Sequence, residues 1–353
     1  MRPLEGIKVV ELATVLAGPE VGRFLAELGA TVVKYEPPAG DVTRGWRLAN
    51  EDRTSSISAY FAAVNAEKSY EQLDLKSEDG RRMLKELLSD ADILLSNFKP
   101  SDEEAFGLNP EELRTLNPKL IWGRIRGFAS DPNRPAFDVV LQAETGWISM
   151  TGTSEKHLSK LPVAMVDVMA AHQLKEALLL ALLERERTGR GSCWEVTLEE
   201  SSLSGLANQA TNFWMNQHVA QPIGTAHPNI APYGDLLPTA DKKWAVPAIG
   251  SQSQFVRFCM LLECSVLAED LRFRSNVDRV TNRTALIAEL SQYTSKWESG
   301  KLAKVCTEEK VPLGIVKSLD EVLTSDTAQD ISVHEKTGGR DTQRVKSFVA
   351  RRI

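Results

Sequence analysis

Little in this chain invites disulfide, metal or membrane chemistry. Its four cysteines, Cys193, Cys259, Cys264 and Cys306, form no CxxC. No Cys/His group has zinc-site spacing, so no metal site is expected. Isolated thiols of this kind suit packing in a reducing compartment. No apolar run reaches membrane-spanning length, and no signal peptide precedes the first strand-like run. A cytoplasmic protein without membrane partners is the expectation. Basic residues are also in the minority, with 42 Lys and Arg against 48 Asp and Glu and a net charge of −6. No global basic surface therefore attracts nucleic acid, and an anionic ligand must be held by local Lys, Arg and backbone N–H groups. There is no GxSxG elbow, no Walker loop, no internal repeat and no low-complexity tract. Ala17-Gly18-Pro19-Glu20-Val21-Gly22 lacks the GxGxxG spacing, and Pro19 removes a backbone N–H that such a fingerprint offers. Glu36 stands where a ribose-binding acid would, but Pro37-Pro38 follows it.

What is present is a regular alternation of strands and helices. Ile7–Leu12 reads as a strand, Ala13–Gly18 as a small-residue loop, and Pro19 as the first turn of a helix carrying Leu25 and Leu28 and ending at Gly29. Ala30–Glu36 is the next strand, which completes a βαβ unit with a parallel pair. Further strands are expected at Gln72–Leu75, Ala91–Leu95, Lys119–Ile125 and Trp194–Leu198. Between them, an acidic helix start at Ser77 leads Met83, Leu84, Leu87 and Leu88, and Pro110 opens a short helix. This order predicts an α/β fold with helices on both faces of a sheet. The 353 residues suggest two domains. Asn208–Asp241, rich in Asn, Gln, Pro and Gly, reads as a connection or long loop. A smaller α/β unit is expected from about Thr239 to Gly314, with a polar, weakly patterned tail after Thr324.

One acid stands out. Asp167 lies in Leu161-Pro162-Val163-Ala164-Met165-Val166-Asp167-Val168-Met169, ahead of the almost wholly apolar Leu174–Leu183. A carboxylate in that setting is costly unless it is paired or used. It reads either as the N-cap of the apolar helix or as a reacting group. His157, in a polar run, His172, on the helix after Asp167, and His227, in a turn-like His-Pro-Asn, read as structural.

The segments Pro3–Leu12, Leu16–Pro19 and Leu25–Glu36, in that order, resemble the opening of the class III CoA-transferases, the formyl-CoA and carnitine-CoA transferase type. The resemblance continues through Gly40–Gly45, Leu73–Lys76, Ser96–Pro100, Gln142–Gly146, Glu184–Gly191, His227–Tyr233 and Val311–Gly314, and so spans nearly the whole chain. It implies a Rossmann-like large domain over 1–205 with a return segment at about 315–353, a linker at 206–238, and a small domain at 239–314. It also implies an interlocked homodimer, with each active site between the large domain of one subunit and the small domain of its partner.

By the same resemblance Asp167 is the nucleophile that takes CoA from an acyl-CoA and passes it to a small carboxylic acid. Aspartyl anhydride and aspartyl-CoA thioester intermediates carry the transfer. Coenzyme A enters as a substrate thioester, and no permanently bound cofactor is implied. CoA contacts fall on Val15, Leu16, Ala17, Leu73, Lys76, Asn97 and Phe98. Phe137 and Asp138 are placed for substrate or for orienting Asp167, and backbone N–H groups near Gly250 for oxyanion stabilisation. The chain departs from the family pattern at several points. Ser101 and Ala105 replace a Gly and an Arg, which leaves Lys99 as a substitute cation. Leu16 stands in place of a Gln, and Gly250-Ser251-Gln252-Ser253-Gln254 in place of a glycine run, so oxalate or formate specificity is not implied. The usual closing segment is not visible before Ile353. Two alternatives remain open at this stage: an α-methylacyl-CoA racemase of the same superfamily, and a catalytically silent CoA-binding protein. The racemase needs a His where Phe137 stands, and Phe137 cannot exchange a proton.

Overall fold

The computed structural model describes residues 2–352. They form two compact units. The first contains the chain up to Trp147, Lys160–Val219 and the chain from Asp326 on; the second contains Ile148–Ser159 and Ala220–Ser325. These units are divided differently from the ranges read in the sequence. Residues 206–219 stay with the first unit, 148–159 join the second, and the return to the first begins at Asp326.

The first unit is built on a six-stranded sheet of β1 (Lys8–Glu11), β2 (Thr31–Glu36), β3 (Ser69–Gln72), β4 (Ile93–Ser96), β5 (Ile121–Arg126) and β6 (Cys193–Thr197), in the order 3-2-1-4-5-6. All neighbours pair in parallel. Its helices are α1 (Ala17–Glu27), α2 (Ala59–Asn65), α3 (Glu78–Leu88), α4 (Pro100–Phe106), α5 (Pro110–Leu116), α6 (Asp138–Glu144), α7 (Met165–Thr188), α8 (Leu198–Gly205) and α9 (Asn208–Asn216). Successive strand residues point to opposite faces, and each face needs cover. Val9, Ile93, Leu95, Ile121 and Ile125 pack with Val21 and Leu25 of α1 and with Ala170, Leu174 and Leu178 of α7. Val10, Leu94 and Trp122 pack on the other face with Leu84 and Leu88 of α3 and Leu113 of α5. The strand order reverses between β1 and β4. In a sheet of this kind the crevice beyond the carboxyl ends of those strands is the natural ligand site.

The second unit carries a three-stranded antiparallel sheet, with β8 (Trp244–Pro247) between β7 (Leu237–Pro238) and β9 (Leu313–Ile315). It also carries α10 (Gln252–Leu261), α11 (Val266–Glu269), α12 (Asn276–Thr281), α13 (Arg283–Thr294) and α14 (Ser299–Glu308). Phe255, Phe258, Phe273, Leu286, Leu290 and Leu302 form its core, together with Cys259, Cys264 and Cys306. All four cysteines are free thiols. Burial pushes the Cys306 thiol up to about 11, which fits packing rather than reactivity.

Three local expectations change. The third strand is Ser69–Gln72, not Gln72–Leu75. The Leu73 N–H makes the last bond to Glu36, and then the Asp74 side chain accepts the Lys76 N–H at 3.0 Å and turns the chain. The expected loop after Asn208 opens with helix α9, none of whose residues is buried. The tail is not featureless: β10 (Ser332–Thr337) and β11 (Arg340–Val345) form a hairpin. Its two-residue turn, Gly338-Gly339, has φ of 54° and 85°, the left-handed pair that such a turn requires.

Candidate active site

Asp167 is the third residue of α7, not its cap. The N-cap position is Ala164, whose side chain accepts nothing. The capping carboxylate comes from another helix. Asp138, first residue of α6, accepts the Val166 N–H at 2.8 Å and the Asp167 N–H at 3.4 Å on Oδ1. Its Oδ2 accepts Gln142 Nε2 at 2.6 Å, and Gln142 Oε1 accepts the Leu161 N–H at 2.9 Å. The start of α7 and the segment leading into it are thus tied to α6.

The Asp167 carboxylate is left without a hydrogen bond or ion pair among the described residues, although the residue is only 8% exposed. Burial, and then the charge of Asp138, raise its pKa from 3.8 to about 7. The phenol of Tyr60, in α2, is pushed up to about 12 by burial and by the charges of Asp167, Asp138 and Asp41.

Asp167 stands where two cavities of the first unit meet. One is lined by Thr14–Ala17 after β1, Asn97–Lys99 after β4, Ile125–Gly127 at the end of β5, Phe137 and Leu198. It also presents Arg126, which is paired with Glu103 at 2.7 Å, and Arg134, paired with Glu144 at 2.5 Å. Lys99 in this cavity has no ion pair among the described residues, whereas Ala105 is exposed on α4 and lines none of these cavities. The second cavity, about 570 Å³, is walled by Trp46, Tyr60, Phe137, Val139, Pro162 and Val163, with Val15, Leu16, Asp138, Lys160 and Asp167 completing it. Trp46 and Tyr60 meet edge-on at 5.0 Å. A third cavity of about 370 Å³ shares Thr14 and Phe98 with the first. Leu73 and Lys76 line it, with Tyr35, Pro37, Pro38 and Phe106, and its size and apolar walls suit a flat ring system.

The loop after β1 is held under strain. Val15 has φ of 72°, unfavourable for a β-branched residue. Asn97 grips the preceding residue from both sides, accepting the Thr14 N–H at 3.1 Å and donating to its carbonyl at 2.9 Å. The Val15 N–H donates to Asp41 at 3.3 Å. Behind the loop is a buried ionic cluster. Lys34 lies 3.1 Å from Asp41 and 3.2 Å from Glu11, and donates to the Ala13 carbonyl; Lys68 reaches Glu11 at 2.8 Å. Burial lowers the pKa of Lys68 to about 8.

The fold therefore gathers Asp167, Val15, Leu16, Ala17, Leu73, Lys76, Asn97, Phe98, Phe137 and Asp138 at the carboxyl-terminal side of the parallel sheet. Asn97 is occupied in holding the loop. Gly250 lies in the second unit. Its N–H and that of Ser251 both donate to Gln254 Oε1, at 3.0 and 3.1 Å, inside the capping box of α10, so these groups are engaged rather than free for an oxyanion. Sequence reading missed Trp46, Tyr60, Lys160, Arg126 and Arg134. Trp46 directly follows the Gly40–Gly45 segment, but nothing in its local pattern marks a cavity wall.

The CoA-transferase family III model matches residues 4–351. The succinate–glutarate CoA-transferase of Agrobacterium fabrum is 35% identical over 334 residues, covering 93% of this chain and 83% of the relative. The succinyl-CoA:glutarate CoA-transferase of Mus musculus is 32% identical, covering 92% and 74%. The crystal structure of a CAIB/BAIF family protein from Brucella suis superposes with a TM-score of 0.87 at 33% identity, covering 99% of this chain and 92% of that one. The chain belongs to CoA-transferase family III and is a class III enzyme that transfers CoA between acyl-CoA thioesters and carboxylic acids.

Proposed function

We propose that Asp167 is the group that carries the transfer. The observation behind this reading is a buried carboxylate, free of hydrogen bonds among the described residues, at the junction of two cavities at the carboxyl ends of β1, β4 and β5. A carboxylate stripped of water and of N–H donors is a stronger nucleophile than a solvated one. It attacks the thioester carbonyl, forming a mixed anhydride and releasing CoA thiolate. The thiolate attacks the Asp167 carbonyl carbon, giving an Asp167–CoA thioester and the free donor acid. The acceptor carboxylate attacks that thioester, again forming an anhydride and thiolate. Thiolate attack on the acceptor acyl carbon then yields the new acyl-CoA and restores Asp167. Each step exchanges one activated carboxyl for another, so the scheme requires no resident cofactor.

CoA lies along the first and third cavities in this reading. Val15, Leu16 and Ala17 flank its thiol arm, Leu73 and Phe98 the adenine, and Lys76 and Lys99 its phosphates. Phe137 lines both cavities beside Asp167 and presents no proton to exchange, which supports transfer over racemisation. The named relatives handle succinate and glutarate, and we assign small dicarboxylic acids as the exchange partners. The working form is a homodimer. Exposed Leu179, Leu180 and Leu183 on α7, and Phe213, Trp214 and Met215 on α9, supply apolar surface for a second copy. No helix of the described residues is long and apolar enough to cross a membrane.

Mass spectrometry after incubation with succinyl-CoA tests the reading. A CoA-sized adduct on the peptide containing Asp167, removed by hydroxylamine and absent in Asp167→Ala, is the expected result. An unmodified peptide together with an active Asp167→Ala would overturn it. Light scattering tests the dimer, and a monomer would count against it.

A further inference from the structure

The cavity on the α2 side of Asp167 has an uneven charge pattern. Its walls are aromatic and aliphatic, and its ionisable groups are Tyr60, Asp138, Asp167 and Lys160. Lys160 is its one cationic lining residue among those described. No carboxylate partners this ammonium among the described residues; Nζ donates only to the carbonyl of the next residue, Leu161, at 3.1 Å. Its backbone is nevertheless fixed relative to the reacting centre. The Leu161 N–H is held by Gln142, and Gln142 by the same Asp138 carboxylate that caps the helix of Asp167.

We propose that Lys160 makes the enzyme selective for dicarboxylic acceptors, by pairing with the carboxylate that does not react. This deepens the transferase reading of Asp167 and rests on it. An acceptor must bring one carboxylate to the carbonyl carbon of the Asp167–CoA thioester. If it carries a second, that group enters a space walled by Trp46, Phe137, Val139, Pro162 and Val163, with the charge of Asp138 nearby. Without a cation it would lose water and meet repulsion, a costly combination. A lysine on its flexible stem supplies the counter-charge and adapts to acids of different length. A monocarboxylic acceptor gains nothing from Lys160, so the residue acts on the choice between acceptors.

The test is a competition. The full chain, as Lys160→Met, Lys160→Arg and wild type, turns over succinyl-CoA with glutarate and valerate in one mixture. These acceptors have the same chain length and differ in the second carboxylate. The ratio of glutaryl-CoA to valeryl-CoA reports selectivity independently of donor binding. Wild type is expected to favour glutarate, Lys160→Met to lose about tenfold of that preference, and Lys160→Arg to keep most of it. Lys160 is exposed, so folding of the variants is expected and is checked by circular dichroism. An unchanged ratio in Lys160→Met, an equal loss for both acceptors, or no wild-type preference would each overturn the proposal while leaving transfer intact. Absence of any Asp167–CoA adduct in the wild type would instead overturn the reading beneath it, and the proposal with it.

Discussion

Asp138 caps the helix that carries Asp167: its Oδ1 accepts the Val166 N–H at 2.8 Å and the Asp167 N–H at 3.4 Å. One carboxylate thereby takes the N–H groups at the helix start, and the other is left without a donor among the described residues. Two acids close together are pushed into different roles by this inequality of partners. The capping acid faces the positive end of α7. The unbonded acid is desolvated, which suits the nucleophile's role we propose for it.

The acid limb of the reaction follows from this pair. Asp167 must be ionised to attack a thioester, and its pKa is raised to about 7 by burial and by the Asp138 charge. Adduct formation with succinyl-CoA is expected to rise with pH with a midpoint near 7. Asp138→Asn removes the charge but keeps an oxygen that can accept the Val166 N–H, so the midpoint is expected to fall. A midpoint that stays in place would show that the Asp138 charge does not reach the nucleophile.

Stability should depend on pH through the same residue. With its folded pKa raised from 3.8 to about 7, Asp167 holds a proton in the folded protein that the unfolded chain releases earlier. This penalty is absent below about pH 4, grows as pH rises, and is complete above about pH 7. Its full size is on the order of 4 kcal/mol. Asp167→Asn is therefore expected to melt higher than wild type at pH 8 and much closer to it at pH 4, while forming no adduct. Equal melting differences at the two pH values would contradict the burial argument.

The parallel sheet was legible because its strands are short apolar runs bounded by turn residues, such as Val32-Val33 after Gly29 and Leu94-Leu95 before Asn97. Asp167 was legible as an anomaly, a charge before an apolar helix, whereas Asp138 as a residue orienting it came only from the family resemblance. Asp138 reaches α7 across 29 positions, and no local pattern announces such a bond. Helix α9 buries no face and so gives no periodic signal. The last hairpin has its turn signal in Gly338-Gly339, but its strands, Ser-Val-His-Glu-Lys-Thr and Arg-Asp-Thr-Gln-Arg-Val, are too polar to read as strands. Lys160 and Tyr60 become site residues only when a loop and a helix distant in sequence are brought to one cavity.

The strained loop offers a separate test. Val15, at φ of 72°, is a β-branched residue in a region that glycine occupies freely. Val15→Gly relieves backbone strain of about 1–3 kcal/mol but adds freedom to the unfolded chain. A net gain of up to ~1 kcal/mol in chemical denaturation is expected. Turnover should fall several-fold, because the loop beside Asp167 is then less rigidly set. Lower stability with full activity would mean that the conformation at Val15 carries neither strain nor function.

The loop also depends on charges that never see solvent. Lys34 is fully buried between Glu11 and Asp41, and Asp41 in turn accepts the Val15 N–H. The Lys34 ammonium is among the groups that hold the Asp41 carboxyl below its ordinary range, against the opposing and larger effect of burial. Lys34→Met keeps the length of the side chain and removes the charge, so Asp41 loses its cation and Glu11 keeps only Lys68. Breaking a buried pair from one side costs about 3–5 kcal/mol, more than the pair itself contributes over an apolar substitute. Lys34→Met is expected to lose about that much in urea unfolding and to impair adduct formation at Asp167 through the loosened loop. A second change, Asp41→Asn, removes one stranded charge while keeping an acceptor for Val15, and should recover part of the stability lost. If the double variant is no more stable than Lys34→Met alone, the ionic cluster is not what supports the loop.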